Sequence, residues 1–581
     1  MRTFHGPNLR RACVWAAMIA LGGELRAQWL FKGDSSATWE QTIARYLELD
    51  AKHSGARLLE IGKDDNGLAI HLFVISDGGG FTPDSVRAVG KNILFINNGI
   101  HPGEPDGVDA SLLLAQALLE SDQYMGLLAK TAVCIVPMYN VSGAGQRGCC
   151  SRANQNGPAE SGFRGNARNL DLNRDLVKMD ALNTEALVGA LHRWDPDLFI
   201  DTHTTDGADH RYAMNLLLTQ DDKLEEPLKV FAQQTLVPGL YNWMDRREIL
   251  MGPYYEGVNE VPDSGMVGFN DSPRYTTGYT GLFQCIGLMS EAHMLKSFAD
   301  RVNATFQLQL ATLAVMNENA GALHAARIKA KAMAAAPGKF AIAWKLDTAY
   351  HEEILFHGYV AGYKPSAVSN LPRLYFDRSS PRDVMVPWQD RYVPALRVVK
   401  PAAYVIPQAW REVIEHLGKH GVIIEHLAAD TALRVEAYRI GDLETVKQPF
   451  EGHYLHSGVE AKSESMSVQF RSGDAIVRMG RNTDRLVMET LEPQAPDSWF
   501  AWGFFDSVLQ QKEWFSPFVF EDKAAELLEK DAELREAFHA KRAEDPAFAA
   551  SAWAQLLFIY QRSPYFEPHY RLYPVYRITA Q

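Results

Sequence analysis

A histidine and a glutamate stand three residues apart in the stretch ILFINNGIHPGEPDG, residues 93–107, where His101 and Glu104 come just after an apolar run. In a chain with 18 histidines, about one His-x-x-Glu pair is expected by chance, so this pair fits a solvated turn as readily as a metal site. Imidazole and carboxylate are both zinc ligands, but a zinc site needs at least one more protein ligand. The rest of the chain therefore decides between the two interpretations.

A candidate for the third ligand lies in the stretch DPDLFIDTHTTDGADH, where a predicted strand ends at His203. Asp201 points to the same face, because side chains alternate along a strand. Two imidazoles and one carboxylate, with one position left open for water, are the usual ligands of a hydrolytic zinc site. His210, in the loop after the strand, is the competing candidate. We therefore predict one zinc ion per chain, bound by His101, Glu104 and His203.

A polar loop, GFRGNARNLDLNRDLVK, residues 162–178, lies between these two stretches. It contains three arginines and three asparagines, namely Arg164, Arg168, Arg174, Asn166, Asn169 and Asn173. A solvated turn would accommodate such residues. However, a guanidinium group binds a carboxylate through two parallel hydrogen bonds, so we predict that this loop binds a carboxylate of the substrate.

Glu291 lies within the stretch IGLMSEAH, which predicts an apolar strand. A buried ion pair would be the structural explanation. Burying an unpaired carboxylate is costly, and catalytic sites are where proteins keep such perturbed groups. Glu291 is therefore a candidate catalytic residue.

The elements that must position these residues alternate between strands and helices from about residue 55 to residue 300. Strands are predicted in the runs GLAIHLFVIS, KNILFINNG, TAVCIVPMYN, DLFIDTH and IGLMSEAH, and helices in DASLLLAQALLES and TEALVGALHRW. Apolar strands separated by helices predict an α/β fold with a mixed, mostly parallel sheet flanked by helices. Ligands bind at the strand ends of such sheets, and His101, His203 and Glu291 all fall there.

The composition changes after the helix predicted in ALHAARIKAKAMAAAPGK, which ends at Pro337 and Gly338. We predict a catalytic domain over residues 28–335 and an α+β accessory region over residues 340–581. In that region PAAYVIPQAWREVIEHLGKHGVIIEHL predicts strand, helix and strand, and residues 431–490 predict a β-rich unit. DSWFAWGFFDSVLQQKEWF begins an aromatic-rich helical segment, whose rings we expect in the core rather than in a binding platform.

The composition, with 46% hydrophobic and 22% charged residues, is typical of a globular protein. The formal net charge is 58 − 71 = −13. Because no basic stripe is available for phosphates, we expect no nucleic-acid partner.

The N-terminal stretch MRTFHGPNLRRACVWAAMIALGGELRAQWL places three arginines, Arg2, Arg10 and Arg11, before an apolar run that ends at Leu21. This pattern predicts a signal peptide over residues 1–27, cut after Ala27. The run is about half as long as a membrane span, so we favour a signal peptide that is removed. A retained membrane anchor is the alternative. We expect export to the periplasm or the medium, with no stable membrane insertion after the signal is removed.

Four cysteines follow the signal peptide, in a compartment that permits disulfides without requiring them. Cys134 and Cys285 lie in apolar runs and are expected to be buried thiols. The sequence has no Cys-x-x-Cys pair, which argues against a thiolate zinc site.

The motifs HPGE, DLNRD, DTH and SEAH follow one another in the order of the M14 family of zinc carboxypeptidases, which residues 40–320 resemble. The stretches SPRYTTGYTGLFQ and SEAHMLKSFADRV are similar to those of bacterial M14-like proteins with a long C-terminal extension. The resemblance implies that His101, Glu104 and His203 bind zinc.

The same resemblance implies roles for four further residues. Asn173 and Arg174 would bind the terminal carboxylate of the substrate, and Asp171 would orient the first zinc histidine. Glu291 would be the general base that takes a proton from water.

Two features of the family have no certain counterpart here. Four arginines upstream of Asn173 qualify as the residue that stabilises the oxyanion, namely Arg147, Arg152, Arg164 and Arg168. We select Arg164. For the family's mobile tyrosine, Tyr275 and Tyr279 are available, and both also qualify as packing residues.

Together these motifs predict an exported zinc metallocarboxypeptidase that acts on a peptide or another carboxylate-bearing substrate. Two alternatives stay open. One is an amidase or deacylase of the same fold acting on an acidic or cell-wall-derived substrate. The other is an inactive exported binding protein, which would have lost a ligand or the base, and neither is missing.

Overall fold

The structure is a computed structural model that describes residues 33–78 and 80–579, so the predicted signal peptide lies outside the described residues. Up to His293, the strands of this described part are β1 Ala56–Lys63, β2 Ala69–Ile75, β3 Asn92–Asn97, β4 Thr131–Val136, β5 Leu198–Thr205, β6 Met214–Leu218, β7 Met251–Pro253, β8 Glu256–Gly257, β9 Met266–Val267 and β10 Ile286–His293.

Eight of these strands form one mixed sheet in the order β1-β2-β4-β3-β5-β10-β6-β7. The central strands β4, β3, β5 and β10 run parallel, whereas β1, β2 and β6 join through antiparallel pairs. Every residue of β3 and β4 is buried, as expected for strands covered on both faces. The predicted fold class is therefore confirmed. Strand β5 continues two residues past His203, because its pairing with β10 extends to Thr205.

Helices cover both faces of this sheet. They are α1 Trp39–Lys52, α2 Pro83–Ala88, α3 Asp106–Glu120, α4 Asp122–Met125, α5 Val141–Gly145, α6 Leu182–Trp194, α7 Glu226–Phe231, α8 Val237–Asp245, α9 Thr276–Gly281, α10 Phe298–Glu318 and α11 Ala320–Ala335. Alternate residues of β3 enter different cores: Leu94 packs in the core that includes α3 and α10, and Phe95 in the core that includes α6. This alternation makes the strand apolar throughout.

The C-terminal region begins at β11. Its strands are β11 Lys339–Leu346, β12 Glu352–Pro365, β13 Pro372–Gln389, β14 Tyr392–Val399, β15 Ala403–Ile406, β16 Glu425–His426, β17 Thr431–Ile440, β18 Glu444–Thr445, β19 His456–Ser457, β20 Ala461–Phe470, β21 Ala475–Arg478 and β22 Tyr576–Ile578. Its helices are α12 Arg411–Lys419, α13 Asp484–Leu491, α14 Pro517–Lys530, α15 Ala532–Glu544, α16 Pro546–Ala549 and α17 Ala552–Tyr560. The predicted strand–helix–strand and β-rich units are both present.

The C-terminal region packs tightly on the region that precedes it. Tyr404 and Trp499 share one hydrophobic core with Phe199 of β5 and Leu187 of α6. The long hairpin β12–β13 also extends a sheet in the order β12-β13-β9-β8, so strands of both regions pair directly. The boundary near residue 335 matches the end of α11, but the division into two domains stays a prediction.

The aromatic stretch after residue 497 is a series of turns with one short 3₁₀ helix, Asp506–Leu509, and the helices begin later, at α14. Trp499 and Trp502 are fully buried, which confirms that their rings belong to the core. Among the described residues, no helix has the length and apolar character needed to cross a membrane.

The two thiols expected in the core are there. Cys134 and Cys285 are buried and free, and burial raises the pKa of both thiols. The adjacent Cys149 and Cys150 form a disulfide.

Candidate active site

The three predicted metal ligands meet at the carboxyl ends of the central strands. His101 and Glu104 lie in the turn between β3 and α3, and His203 lies near the end of β5. One ligand atom from each residue lies within 4.8 Å of the others. Glu104 lies between the histidines, with Oε1 3.3 Å from Nδ1 of His101 and Oε2 3.1 Å from Nδ1 of His203. All three side chains are buried.

One buried nitrogen atom of this cluster lacks a hydrogen-bond partner within the described chain, as expected for a metal ligand. Nδ1 of His101 is buried and has no hydrogen-bond partner among the described residues. It faces the carboxylate of Glu104, and the side chain of His203 faces the same carboxylate. Two imidazoles and a carboxylate form a donor set that zinc prefers, so the residues present fit the predicted cofactor.

A glycine brings the first two ligands close to the third. Gly107 lies in the first turn of α3, directly beside β5. A Cβ atom at this position would lie 1.9 Å from Oγ1 of Thr202. Because only glycine permits this close approach, the turn that carries His101 and Glu104 reaches the strand that carries His203.

A carboxylate contacts the Nε2 atom of each candidate metal-binding histidine. Nε2 of His101 lies 2.8 Å from Oδ1 of Asp171, and Nε2 of His203 lies 3.0 Å from Oδ2 of Asp201. Such carboxylate partners fix the orientation of metal-binding imidazoles. Asp171 was predicted in this role, whereas Asp201 was seen only as a residue on the same strand face. Asn97 and Thr276 donate hydrogen bonds to Asp201 and hold it in place.

The carboxylate of Asp171 is ionised in this setting. Burial alone would raise its pKa, but His101, Arg164 and Arg174 outweigh burial and hold the pKa well below its ordinary value. An ionised Asp171 accepts a hydrogen bond from the Nε2–H group of His101 and leaves Nδ1 as the ligand atom.

Glu291 lies beside the metal ligands because of the register of the sheet. In the parallel pair β10 and β5, Glu291 stands opposite His203. Its side chain is buried, and within the described chain no cation forms an ion pair with it. Burial raises the pKa of Glu291 to about 7, although His203 opposes the shift. The structure therefore offers no partner for the alternative of a structural ion pair.

The structure separates the four candidate arginines into two groups. Arg164 lies in the cleft, with Nη2 2.8 Å from Oδ2 of Asp171. Arg152 lies there too, with Nη1 2.6 Å from Oε1 of Glu104. The other two arginines point elsewhere, since Arg147 binds the backbone of residue 36 and Arg168 binds the backbone of residue 180.

The predicted carboxylate-binding pair also lies in the cleft. The Asn173 Oδ1 atom accepts a hydrogen bond from the backbone N–H of Thr276. The guanidinium of Arg174 lies over the ring of Tyr275, 4.5 Å from its centroid. Tyr279, by contrast, is buried and bonded to two histidines, so it is a packing residue.

The cleft encloses about 420 Å³, and some of its lining residues were not predicted. These include Leu217, Tyr254, Phe269 and Met289. Leu217 and Met289 pair across β6 and β10, and Met289 shares a strand face with Glu291, so strand alternation was the only sequence signal for them. His210 is outside this cluster, with its ring centroid 4.2 Å from that of His293 and the two ring planes tilted by 57°.

One contact comes from the C-terminal region. The carboxylate of Glu451 accepts a hydrogen bond from the backbone N–H of Asp171, at 2.7 Å. The two residues are 280 positions apart, and no local pattern in the sequence links them.

Residues 43–205 match the model of the M14 peptidase family, described as zinc carboxypeptidase. The match confirms the predicted family resemblance. It includes the three candidate metal ligands, Asp171 and the pair Asn173–Arg174, and it ends before Glu291.

Similarity to individual proteins covers less of the chain. Carboxypeptidase 2 of Trichophyton rubrum is 28% identical over 110 residues, which are 19% of this chain and 20% of the fungal protein. Carboxypeptidase 2 of Trichophyton tonsurans is 27% identical over 104 residues, 18% of this chain and 19% of that protein. The match thus spans about a fifth of the length of these curated relatives.

Solved structures are similar to this chain over about half of its length. A metallo-carboxypeptidase from Burkholderia cenocepacia is 18% identical, with a TM-score of 0.36, over 49% of this chain and 70% of that one. A metallo-carboxypeptidase from Pseudomonas aeruginosa, in complex with (2-guanidinoethylmercapto)succinic acid, is 17% identical, with a TM-score of 0.38 over the same shares of the two chains.

Proposed function

We propose that this chain, whose residues 43–205 match the model of the M14 family of zinc carboxypeptidases, hydrolyses the C-terminal peptide bond of peptides. One observation carries the proposal: the cleft brings together a zinc-type donor set, a buried carboxylate without an ion-pair partner among the described residues and an arginine next to an asparagine. These are the parts that hydrolysis of a peptide with a free C-terminus requires.

In this proposal His101, Glu104 and His203 hold the zinc ion. When bound, zinc acts as a Lewis acid and brings the deprotonation of water within reach near neutral pH. Asp171 and Asp201 keep the two imidazoles oriented towards Glu104 through their Nε2 atoms.

Glu291 serves as the general base. Its pKa of about 7 suits a group that takes a proton from water and later gives it to the leaving amine, because proton transfer is most effective when the pKa lies near the working pH. Glu291 is only 7% exposed, which limits access of bulk water to this carboxylate.

Asn173 and Arg174 bind the terminal carboxylate of the substrate, and Tyr275 supports the guanidinium of Arg174 from one face. Arg164 stabilises the negative charge that develops on the carbonyl oxygen. Arg152 contacts the same Oε1 atom of Glu104 as Arg164 does and is the second candidate for that role.

The decisive experiment combines metal analysis with a peptide panel. The purified protein is expected to carry close to one zinc ion per chain and to hydrolyse peptides with a free C-terminus and an apolar last residue, since Leu217, Phe269 and Met289 line the cleft. C-terminally amidated versions of the same peptides serve as controls. Equal hydrolysis of both sets would contradict the carboxypeptidase proposal and favour an amidase.

The proposal includes export of the protein, on the strength of the N-terminal sequence pattern. Fractionation of the producing cells, with N-terminal sequencing of the mature chain, tests it, and a mature chain that begins after Ala27 is expected.

A further inference from the structure

A second chamber, here called the side chamber, opens from the cleft. It encloses about 500 Å³ and shares Thr205, Asp206, Tyr254 and Glu256 with the lining of the cleft. None of its lining residues belongs to the loop that carries Asn173 and Arg174. The side chamber therefore adjoins a part of the cleft that lacks the proposed carboxylate-binding residues.

The cleft has charged groups of both signs, whereas the charged groups of the side chamber are all negative. Three arginines line the cleft, whereas the residues lining the side chamber include no arginine or lysine. Its charged side chains are three carboxylates, Asp206, Glu256 and Glu260. A ligand group in this chamber meets negative charge without a compensating cation on the wall.

Two buried side chains in the same wall have acceptor atoms without a partner. Nδ2 of Asn215 donates to the carbonyl of Pro253, which fixes the amide and leaves Oδ1 without a hydrogen-bond partner among the described residues. Nδ1 of His210 is also buried and unpartnered there. Asn215 and His210 are each 2% exposed, so these atoms need a ligand or a trapped water.

The imidazole of His210 offers an acceptor rather than a charge. Burial, with the nearby His293 and Lys296, holds the pKa of His210 well below its ordinary value. A neutral imidazole has one acceptor nitrogen, which adds to the acceptor character of the chamber.

Part of the remaining wall is apolar or aromatic. Leu374 and Phe376 come from β13 of the C-terminal region, and Tyr255 lies beside them. An aliphatic stem that ends in a charged head packs well against such a wall, since the stem covers apolar surface while the head reaches the acceptors.

We propose that the side chamber binds an alkylammonium group located on the N-terminal side of the scissile bond of the substrate. This inference rests on the proposed function, because it places the terminal carboxylate at Arg174, the scissile bond at the metal ligands and the preceding residue in the side chamber. The ammonium group belongs either to a lysine-type side chain before the scissile bond or to the free amino terminus of a short peptide.

Two pairs of peptides distinguish these sources. Acetyl-Ala-Lys-Phe and acetyl-Ala-norleucine-Phe differ only in the side-chain ammonium group, and Ala-Phe and acetyl-Ala-Phe differ only in the terminal one. For zinc-loaded protein we expect kcat/KM to favour the cationic member of at least one pair on the order of tenfold, the effect of one hydrogen-bonded charge.

The variant Glu256→Gln/Glu260→Gln removes two of the three carboxylates, and the preference is expected to fall to threefold or less. Asp245→Asn is the matched control. This substitution neutralises a carboxylate that lines a different cavity, so the preference for the cationic peptide should be unchanged. A preference that is absent in both pairs, or one that the double variant retains, would overturn the proposal.

A binding measurement separates this proposal from the proposed function. Calorimetric titration of zinc-loaded Glu291→Gln protein with the same peptides reads affinity without turnover. Tighter binding of a cationic peptide without hydrolysis by the wild-type protein would support the side chamber and refute the carboxypeptidase. Hydrolysis with equal affinities and equal kcat/KM values within each pair would refute the side chamber alone.

Discussion

The candidate active site has two halves that are held in different ways. The strand half consists of His203 and Glu291, which lie on β5 and β10, and of His101 and Glu104 in the turn that directly follows β3. The loop half consists of Asp171, Asn173 and Arg174. The register of β3, β5 and β10 positions the strand half. The loop half lies in a stretch whose only helical element is one 3₁₀ turn, Leu172–Arg174.

The loop half depends on supports from distant parts of the chain. Glu451 holds the backbone of Asp171, and the indole of Trp499 donates to the carbonyl of Val177. A strand half of this kind is built by regular hydrogen bonding, whereas a loop half needs specific long-range contacts. The two halves should therefore respond differently to substitution.

The largest effect is expected at His203, a proposed metal ligand in the strand half. In His203→Ala the bound zinc should fall from about one ion per chain to nearly none, because a three-residue donor set loses an imidazole. Atomic absorption on purified protein measures it. His210→Ala is the matched control and should keep its zinc, since His210 lies outside the cluster. Loss of zinc only in the control would reverse the assignment.

The next effect is expected at Glu291. Glu291→Gln keeps the shape of the side chain and removes the basic oxygen, so turnover should fall roughly 10²- to 10⁴-fold. Zinc content and melting temperature should be close to those of the wild type, because no cation is left unpaired. Near-normal turnover in a zinc-loaded variant would exclude Glu291 as the base.

In the loop half, Arg174→Ala should reduce kcat/KM for peptides with a free C-terminus by roughly 10- to 100-fold, the value of hydrogen bonds to a charged group. Amidated peptides should be affected much less, since they lack the carboxylate. Parallel kinetics on the two peptide sets measure the difference. Equal losses on both would indicate that Arg174 has a structural role.

A smaller effect is expected at the support of the loop half. Glu451→Ala should lower kcat/KM by about three- to tenfold, less than the usual effect of a direct partner of a metal ligand, because Glu451 acts through the backbone of Asp171. Glu451→Gln should restore most of the activity, since its amide oxygen still accepts the hydrogen bond. Glu444→Ala, an exposed position in the same region, is the control. An Ala variant with full activity would show that the contact is dispensable.

The least effect on activity, with a measurable change in stability, is expected at Asp109 in α3. Burial, reinforced by Asp106, raises the pKa of Asp109 to about 7. The folded state therefore holds this proton more tightly than the unfolded state does, and the free energy of unfolding decreases as the pH rises from about 4 to 7.

Asp109→Asn removes this dependence, because the amide does not ionise. The variant should be more stable than the wild type at pH 8, by up to about 4 kcal/mol, and similar to it at pH 4. Urea unfolding at both pH values measures the difference. A variant of equal stability at both pH values would contradict a buried, raised-pKa carboxyl at this position.

The strand half could be predicted because its signals are local. The run that ends before His101, the alternation that places Asp201 beside His203 and the apolar strand around Glu291 all depend on a few neighbouring residues. Local periodicity fixes which face a side chain takes, and a parallel sheet brings the carboxyl ends of its strands together. The fold class followed from the same patterns.

For the loop half, the sequence predicts which residue types are present but not the directions that their side chains take. The sequence named four possible oxyanion arginines, and the fold leaves Arg152 and Arg164 in the cleft while it turns Arg147 and Arg168 elsewhere. A loop without repeating hydrogen bonds has no period from which side-chain directions follow. Its conformation depends on which distant groups satisfy its polar atoms.

The amino-acid sequence by itself determined the candidate metal ligands, the candidate base and the sheet that carries them, because these follow from residue type and local periodicity. Only the tertiary structure decided that Asp201 holds His203, that Glu451 reaches Asp171 from the C-terminal region, and that Leu374 and Phe376 wall the side chamber. The reason is physical: hydrogen bonds and apolar contacts between residues far apart in the chain form only when the whole chain packs, and no local pattern encodes their partners.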